Sequence, residues 1–71
     1  MPERIRVQSS NLDWVEYDSE TEQLTIGFKN AAVYRYDHVP AAVYDGLLTA
    51  ASHGDYFGSR IKTAYHYTKV C

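Results

Sequence analysis

One cysteine in 71 residues, Cys71 at the last position, leaves nothing for an internal disulfide and too few thiolates for a cysteine zinc site. So little cysteine fits a reducing, cytoplasmic setting. Glycine is scarce too, and Gly27, Gly46, Gly54 and Gly58 stand far apart, so no glycine-rich loop exists to cradle a phosphate. No apolar run approaches the roughly 20 residues of a spanning helix, so no membrane association is expected. The opening segment MPERIRVQSS lacks the apolar stretch of a secretory signal. What is present is ordinary globular composition, 45% apolar and 23% charged, at a length that allows one small domain.

The net charge of −2 argues against a general nucleic-acid coat protein. Its distribution is uneven. Residues 1–53 hold four basic side chains (Arg4, Arg6, Lys29, Arg35) against eight acidic ones. Residues 54–71 hold Arg60, Lys62 and Lys69 against Asp55 alone. Such asymmetry fits either a solvated surface or a patch that meets an anion.

A first strand is expected from about Leu12 to Tyr17, rich in Trp, Val and Tyr. Both of its parities carry apolar groups, Leu12 with Trp14 and Val15 with Tyr17. That implies cover on both faces, or a bend near Ser9-Ser10. Leu24, Ile26 and Phe28 then alternate with Thr25, Gly27 and Lys29, the period of a half-buried strand. Asn30-Ala31 marks a hairpin into a third strand around residues 32–37. Pro40 suits a first helical position, and Val43, Tyr44, Leu47, Leu48 and Ala51 form one apolar stripe. Gly46 weakens that helix unless something packs closely against it. Gly54 is the expected C-cap, with His53 near the negative end of the dipole. Asp55 is expected to cap a short second helix, Tyr56 to about Lys62, pairing Phe57 with Ile61. The segment 63–70 fits a strand or an extended tail equally. The order β-β-β-α, a short helix and a tail gives an antiparallel three-stranded meander with helices on one face, in the α+β class.

Catalytic chemistry finds little support. His38, His53 and His66 form no helix-spaced pair for a metal, and no cofactor is implied. Cys71 lacks an electropositive, ordered setting. Ser9-Ser10 lacks the glycine frame of a nucleophile elbow, so a turn or capping role is the better reading.

Tyrosine is the unusual feature, seven in all, with two pairs at Tyr34-Arg35-Tyr36 and Tyr65-His66-Tyr67. In an extended strand each pair shares a face. Hairpin length decides which one. A two-residue loop at Asn30-Ala31 sets Gly27 opposite Tyr34 and puts Tyr34 and Tyr36 on the face away from Leu24, Ile26 and Phe28. There they form a platform for unpaired bases. A three-residue loop slips the register by one and sends the same rings into the core. The side-chain-free Gly27 opposite Tyr34 favours the first arrangement; the burial tendency of aromatics favours the second.

Ser9-Ser10, Tyr17-Asp18, Leu24, Phe28, Tyr34-Arg35-Tyr36, Val39-Pro40, Tyr44, Ser52, Gly54, Tyr56-Phe57, Ile61-Lys62 and Tyr65 together resemble the KTSC domain. That family is named for the C-terminus of some lysyl-tRNA synthetases and also occurs as stand-alone bacterial or phage proteins. The resemblance runs from about Val7 to Val70. Ala31 stands where a hairpin glycine is usual, and Gly58 where Asn often follows the Tyr-Phe pair. The resemblance brings no determined activity with it; attachment to a tRNA synthetase implies RNA contact by association. The expectation is therefore a non-catalytic accessory module for tRNA-like or single-stranded RNA. Tyr34, Tyr36 and Tyr65 would supply stacking, and Arg35, Arg60, Lys62 and Lys69 phosphate contacts. The alternative is a protein-interaction module, docking a partner or a second copy through an aromatic face or an open sheet edge.

Overall fold

The structure, a computed structural model, describes residues 3–70. Met1, Pro2 and Cys71, with the expectation attached to Cys71, lie outside the described residues. Five strands form one antiparallel meander in chain order: β1 (Glu3–Arg6), β2 (Leu12–Asp18), β3 (Gln23–Phe28), β4 (Val33–Tyr36) and β5 (Tyr67–Lys69). Helices α1 (Ala41–Thr49) and α2 (His53–Arg60) lie between β4 and β5 in sequence. The α+β architecture extends the expected three-stranded meander by one strand at each end. β5 comes from the segment that alternation left open between strand and tail.

The mixed parity of β2 has a local cause. Leu12 pairs with Phe28, but Trp14 pairs with Gly27, so the register shifts by one residue at Asp13. This β-bulge turns Leu12, Val15 and Tyr17 to one face and Trp14 and Glu16 to the other. The change of side therefore occurs at Asp13 and not at Ser9-Ser10. Ser9 instead closes a turn, its hydroxyl oxygen accepting from the backbone N–H of Asn11 and of Leu12 at 3.4 and 3.3 Å.

The β3–β4 hairpin decides the rest. Leu24 pairs with Tyr36, Ile26 with Tyr34 and Gly27 with Val33. That is the three-residue loop, Lys29 to Ala31, and the two-residue register is corrected. Phe28 N–H donates to the Ala32 carbonyl at 2.9 Å, and Ala31 N–H donates back to the Phe28 carbonyl at 3.0 Å. Asn30 Oδ1 accepts from Ala32 N–H at 3.1 Å, and Ala31 takes φ 73°. A turn followed by a left-handed residue is the usual three-residue solution. Glycine opposite a tyrosine was the wrong cue: Gly27 lies beneath Trp14, and a Cβ there would run into the indole.

Tyr34 and Tyr36 consequently share the face of Leu24 and Ile26, which the helices cover. Leu12, Val15, Leu24, Ile26, Tyr36, Val39, Leu47, Phe57 and Ile61 make the buried core. α1 is seated by a stack of Tyr44 on Tyr17, ring centroids 4.6 Å apart, and the Tyr17 hydroxyl donates to the Val39 carbonyl at 2.7 Å. Pro40 is the N-cap residue and not the first helical one; its carbonyl accepts from Val43 N–H at 3.0 Å. α1 stops at Thr49, short of Gly54, which lies inside α2. Ser52, not Asp55, caps α2, its hydroxyl accepting from Asp55 N–H at 3.2 Å. His53 still meets the negative end of α1, through space: Nδ1 donates to the Leu47 carbonyl at 2.8 Å. The close neighbour expected at Gly46 is the Tyr56 hydroxyl of α2, which a Cβ would displace.

The turn yields a direct test. Left-handed backbone is costly for alanine and free for glycine, by about 1 kcal/mol. Ala31→Gly is expected to raise the thermal midpoint by about 4–8 °C, the response of a domain this size to ~1 kcal/mol. An unchanged or lowered midpoint in calorimetry contradicts the strained three-residue turn.

Candidate ligand groove

The sheet face without helices is sealed by its own side chains. Arg4 lies over the Trp14 ring, 3.8 Å from the centroid, and its Nε is 3.5 Å from Glu16. Arg35 points to this face by strand parity, between Thr25 and Thr68, with Nε 3.7 Å from Asp37. Arg4 and Arg35 each stand beside a carboxylate there, which offsets their own charge. Of the two arrangements left open, the tyrosine platform on this face does not form, because the hairpin register turns both rings the other way.

The rings instead wall a groove on the helix side. Phe28, Tyr34 and Tyr36 reach it from β3 and β4, Tyr67 from β5 and Phe57 from α2. Their rings meet edge-on or tilted: Phe28 to Phe57 and Tyr36 to Phe57 at 5.5 Å, Tyr34 to Tyr67 at 5.4 Å, Tyr36 to Tyr67 at 5.7 Å. The groove is open and measures about 460 Å³. Asn11, Asn30 and Lys62 also line it, and none of its lining residues is acidic. Only 3% of Tyr36 is exposed, so it forms the floor, while Tyr67, 50% exposed, forms a wall reachable from solvent. A second hollow beside the bulge is lined by Arg6, Lys29 and Asp13 among others, with no aromatic ring in its lining.

Of the side chains expected to act together, Tyr34, Tyr36 and Lys62 meet in this groove. Lys69 pairs with Tyr34 and shares the face of Tyr67 by parity. Tyr65 is half-buried against the core, and Arg60 is exposed on the last turn of α2; neither lines the groove. Arg35 is on the opposite face. Phe28, Phe57, Asn11, Asn30 and Tyr67, the last a member of the second tyrosine pair, line the groove without being among the expected contacts. Pairing of residues 67–69 with β4 was the missing information. Among the described residues, no three His, Cys, Asp or Glu side chains group as a metal site would need. No helix among them is long and apolar enough to cross a membrane.

Burial pushes the Tyr36 phenol up to about 12, with the neighbouring Tyr34 and Tyr67 adding to the shift. Burial likewise raises Tyr17 and Tyr44, helped at Tyr17 first by Glu22 and at Tyr44 first by Glu3. The folded state therefore holds the Tyr36 proton more tightly than the unfolded chain, whose phenol titrates near 10.0. Its contribution to stability is complete below pH 10.0 and is lost as pH rises toward about 12. Urea midpoints measured across that window are expected to fall with pH, and to fall less steeply in Tyr36→Phe. Equal slopes would contradict a buried Tyr36 hydroxyl.

The model of the KTSC domain matches residues 8–67. An uncharacterized protein of Stutzerimonas stutzeri is 38% identical over 68 residues, covering 94% of this chain and 96% of the relative. A lysine–tRNA ligase of Trichormus variabilis is 33% identical over 66 residues, which are 93% of this chain but 12% of the ligase. The crystal structure of a KTSC domain protein from Yersinia pestis superposes with a TM-score of 0.96 at 28% identity, over the full length of both chains. A five-stranded meander with two helices on one face, matched in sequence and in shape, makes this chain a member of the KTSC domain family.

Proposed function

We propose that this domain is a non-catalytic, cytoplasmic module that weakly holds unpaired RNA, seating a base in the aromatic groove with Lys62 and Lys69 on the flanking phosphates. The observation that carries this reading is the groove itself: five aromatic rings and a lysine around an open space, with no acidic residue in its lining. Stacking of a base on an aromatic ring contributes about 1–3 kcal/mol and needs a base free of its duplex. A protein of net charge −2 adds little general attraction, so affinity rests on the groove and on a few phosphate contacts. The lysine–tRNA ligase relative, which carries a matching segment and whose name gives tRNA as its substrate, supports the same class of ligand. Arg60 stands as an outer phosphate contact; Arg35 and Tyr65 lie outside the groove and have no part in it.

One observation favours a protein-docking alternative. The exposed large apolar side chains among the described residues are Tyr67 in β5 and Val70 just after it, at a sheet edge to which a further strand could be added.

An NMR titration with single-stranded RNA at low and raised salt separates the two. The expected outcome is shifts at Tyr34, Lys62 and Tyr67 that weaken with salt and are absent with duplex RNA. Lys62→Gln should lower the slope of log affinity against log salt by about 0.7, the loss of one phosphate contact on a single strand. No shift at the groove at low salt overturns the RNA reading. A protein partner that is retained through high salt and nuclease treatment, and is lost on substitution of Val70, establishes the alternative.

A further inference from the structure

We propose that the RNA site continues past the aromatic groove as a basic track, with Lys29 and Arg6 on further phosphates of the strand whose base the groove seats; this rests on the RNA reading above. The track shows as shared walls. Asn11, Phe28 and Asn30 line both the groove and a hollow of about 330 Å³ at the β3–β4 turn, which Lys29 also lines. Lys29 in turn lines the hollow of about 660 Å³ beside the bulge, together with Arg6 and Asp13. Three open depressions therefore follow one another at one end of the sheet, each sharing a residue with the next.

The charge at this end suits a polyanion. Among the described residues, the combined lining holds three cations, Lys62, Lys29 and Arg6, against one carboxylate, Asp13. Strand pairing sends five of the nine acidic side chains to the opposite end. Glu3 is level with Tyr17, Asp18 with Gln23, and Asp37 follows Tyr36, which is level with Leu24. Glu20 and Glu22 lie in the turn between β2 and β3 at that same end. The net charge of −2 thus combines an acidic end with a basic one. Lys29 and Arg6 are exposed, and long flexible stems let their charges meet a phosphate while still hydrated.

The bulge hollow has no ring in its lining, so the strand leaves its stacking platform in the groove and is held beyond it by its backbone. A groove that seats one base uses the phosphates on either side of it, whereas a track adds a contact for each further cation. The two differ in salt dependence. Each phosphate neutralised on a single strand steepens the fall of log affinity with log salt by about 0.7. A longer strand also binds in more registers, which raises its affinity and leaves that slope alone. The test is a set of NMR titrations across a salt series with triuridine and octauridine, on the wild-type chain and on Lys29→Gln, Arg6→Gln and Arg4→Gln. All three substituted residues are exposed, and circular dichroism melts check the fold.

The wild-type slope is expected to be steeper by about 1.4 for octauridine than for triuridine, the mark of two added contacts. Lys29→Gln and Arg6→Gln should each remove about 0.7 from the octauridine slope and leave the triuridine slope as it was. Arg4→Gln removes a cation that lines none of the three depressions and should change neither slope. Equal slopes for the two lengths, or an octauridine slope unmoved in both Lys29→Gln and Arg6→Gln, overturn the track while leaving the groove reading standing. A loss in Arg4→Gln equal to that in Lys29→Gln overturns it as well, because the attraction is then not confined to the track. Absence of groove shifts with either oligomer at low salt removes the track and the RNA reading together.

Discussion

Ala31, held in the left-handed region at φ 73°, goes with a β3–β4 turn of three residues. Side chains on a strand alternate with a period of two, so that length decides which face every β4 residue occupies. With Ile26 opposite Tyr34 and Leu24 opposite Tyr36, both tyrosines join the covered side of the sheet. Tyr36 then becomes core against Phe57, and Tyr67 of β5 packs beside it. The groove, its aromatic walls and the sealed opposite face all follow from this register. The Asn30 side chain is part of the same device, its oxygen accepting Ala32 N–H at 3.1 Å.

How much of this could be read in the sequence depended on how local the signal was. Alternation in Leu24, Ile26 and Phe28 and the stripe of Val43, Tyr44, Leu47 and Leu48 are local, and they form β3 and α1 as expected. β1 was not legible: Glu3-Arg-Ile-Arg6 offers one apolar side chain, Ile5, and exists as a strand through pairing with β2. Its charges also suit an edge that must avoid further pairing. β5 is three residues long and equally dependent on its neighbour, Tyr34 to Tyr36. The Asp13 bulge and the turn length were ambiguous for one reason. Each is a shift of one residue, and composition carries almost no information about a shift that small. Gly27 had two potential partners across the sheet, Tyr34 and Trp14, and only the completed β2–β3 register shows that the indole takes the space.

The candidate site was legible in kind more than in place. Paired tyrosines and a basic C-terminal third pointed toward aromatic and cationic recognition, and three of those side chains do converge in the groove. Arg35 was separated from its neighbours by strand parity alone, since a residue between two tyrosines on a strand must face the other way. Phe28, Phe57, Asn11 and Asn30 come from three separate stretches of chain and are joined by tertiary packing. Asn30 reads first as a turn residue, which it is, its side-chain oxygen accepting Ala32 N–H.

Assigned NOESY spectra of the free domain address the register most directly. Cross-strand contacts should link Ile26 with Tyr34 and Leu24 with Tyr36, and the Tyr36 ring should show contacts to Phe57. Contacts linking Gly27 with Tyr34 and Thr25 with Tyr36, with neither tyrosine ring near Phe57, would place the rings on the open face and contradict the account.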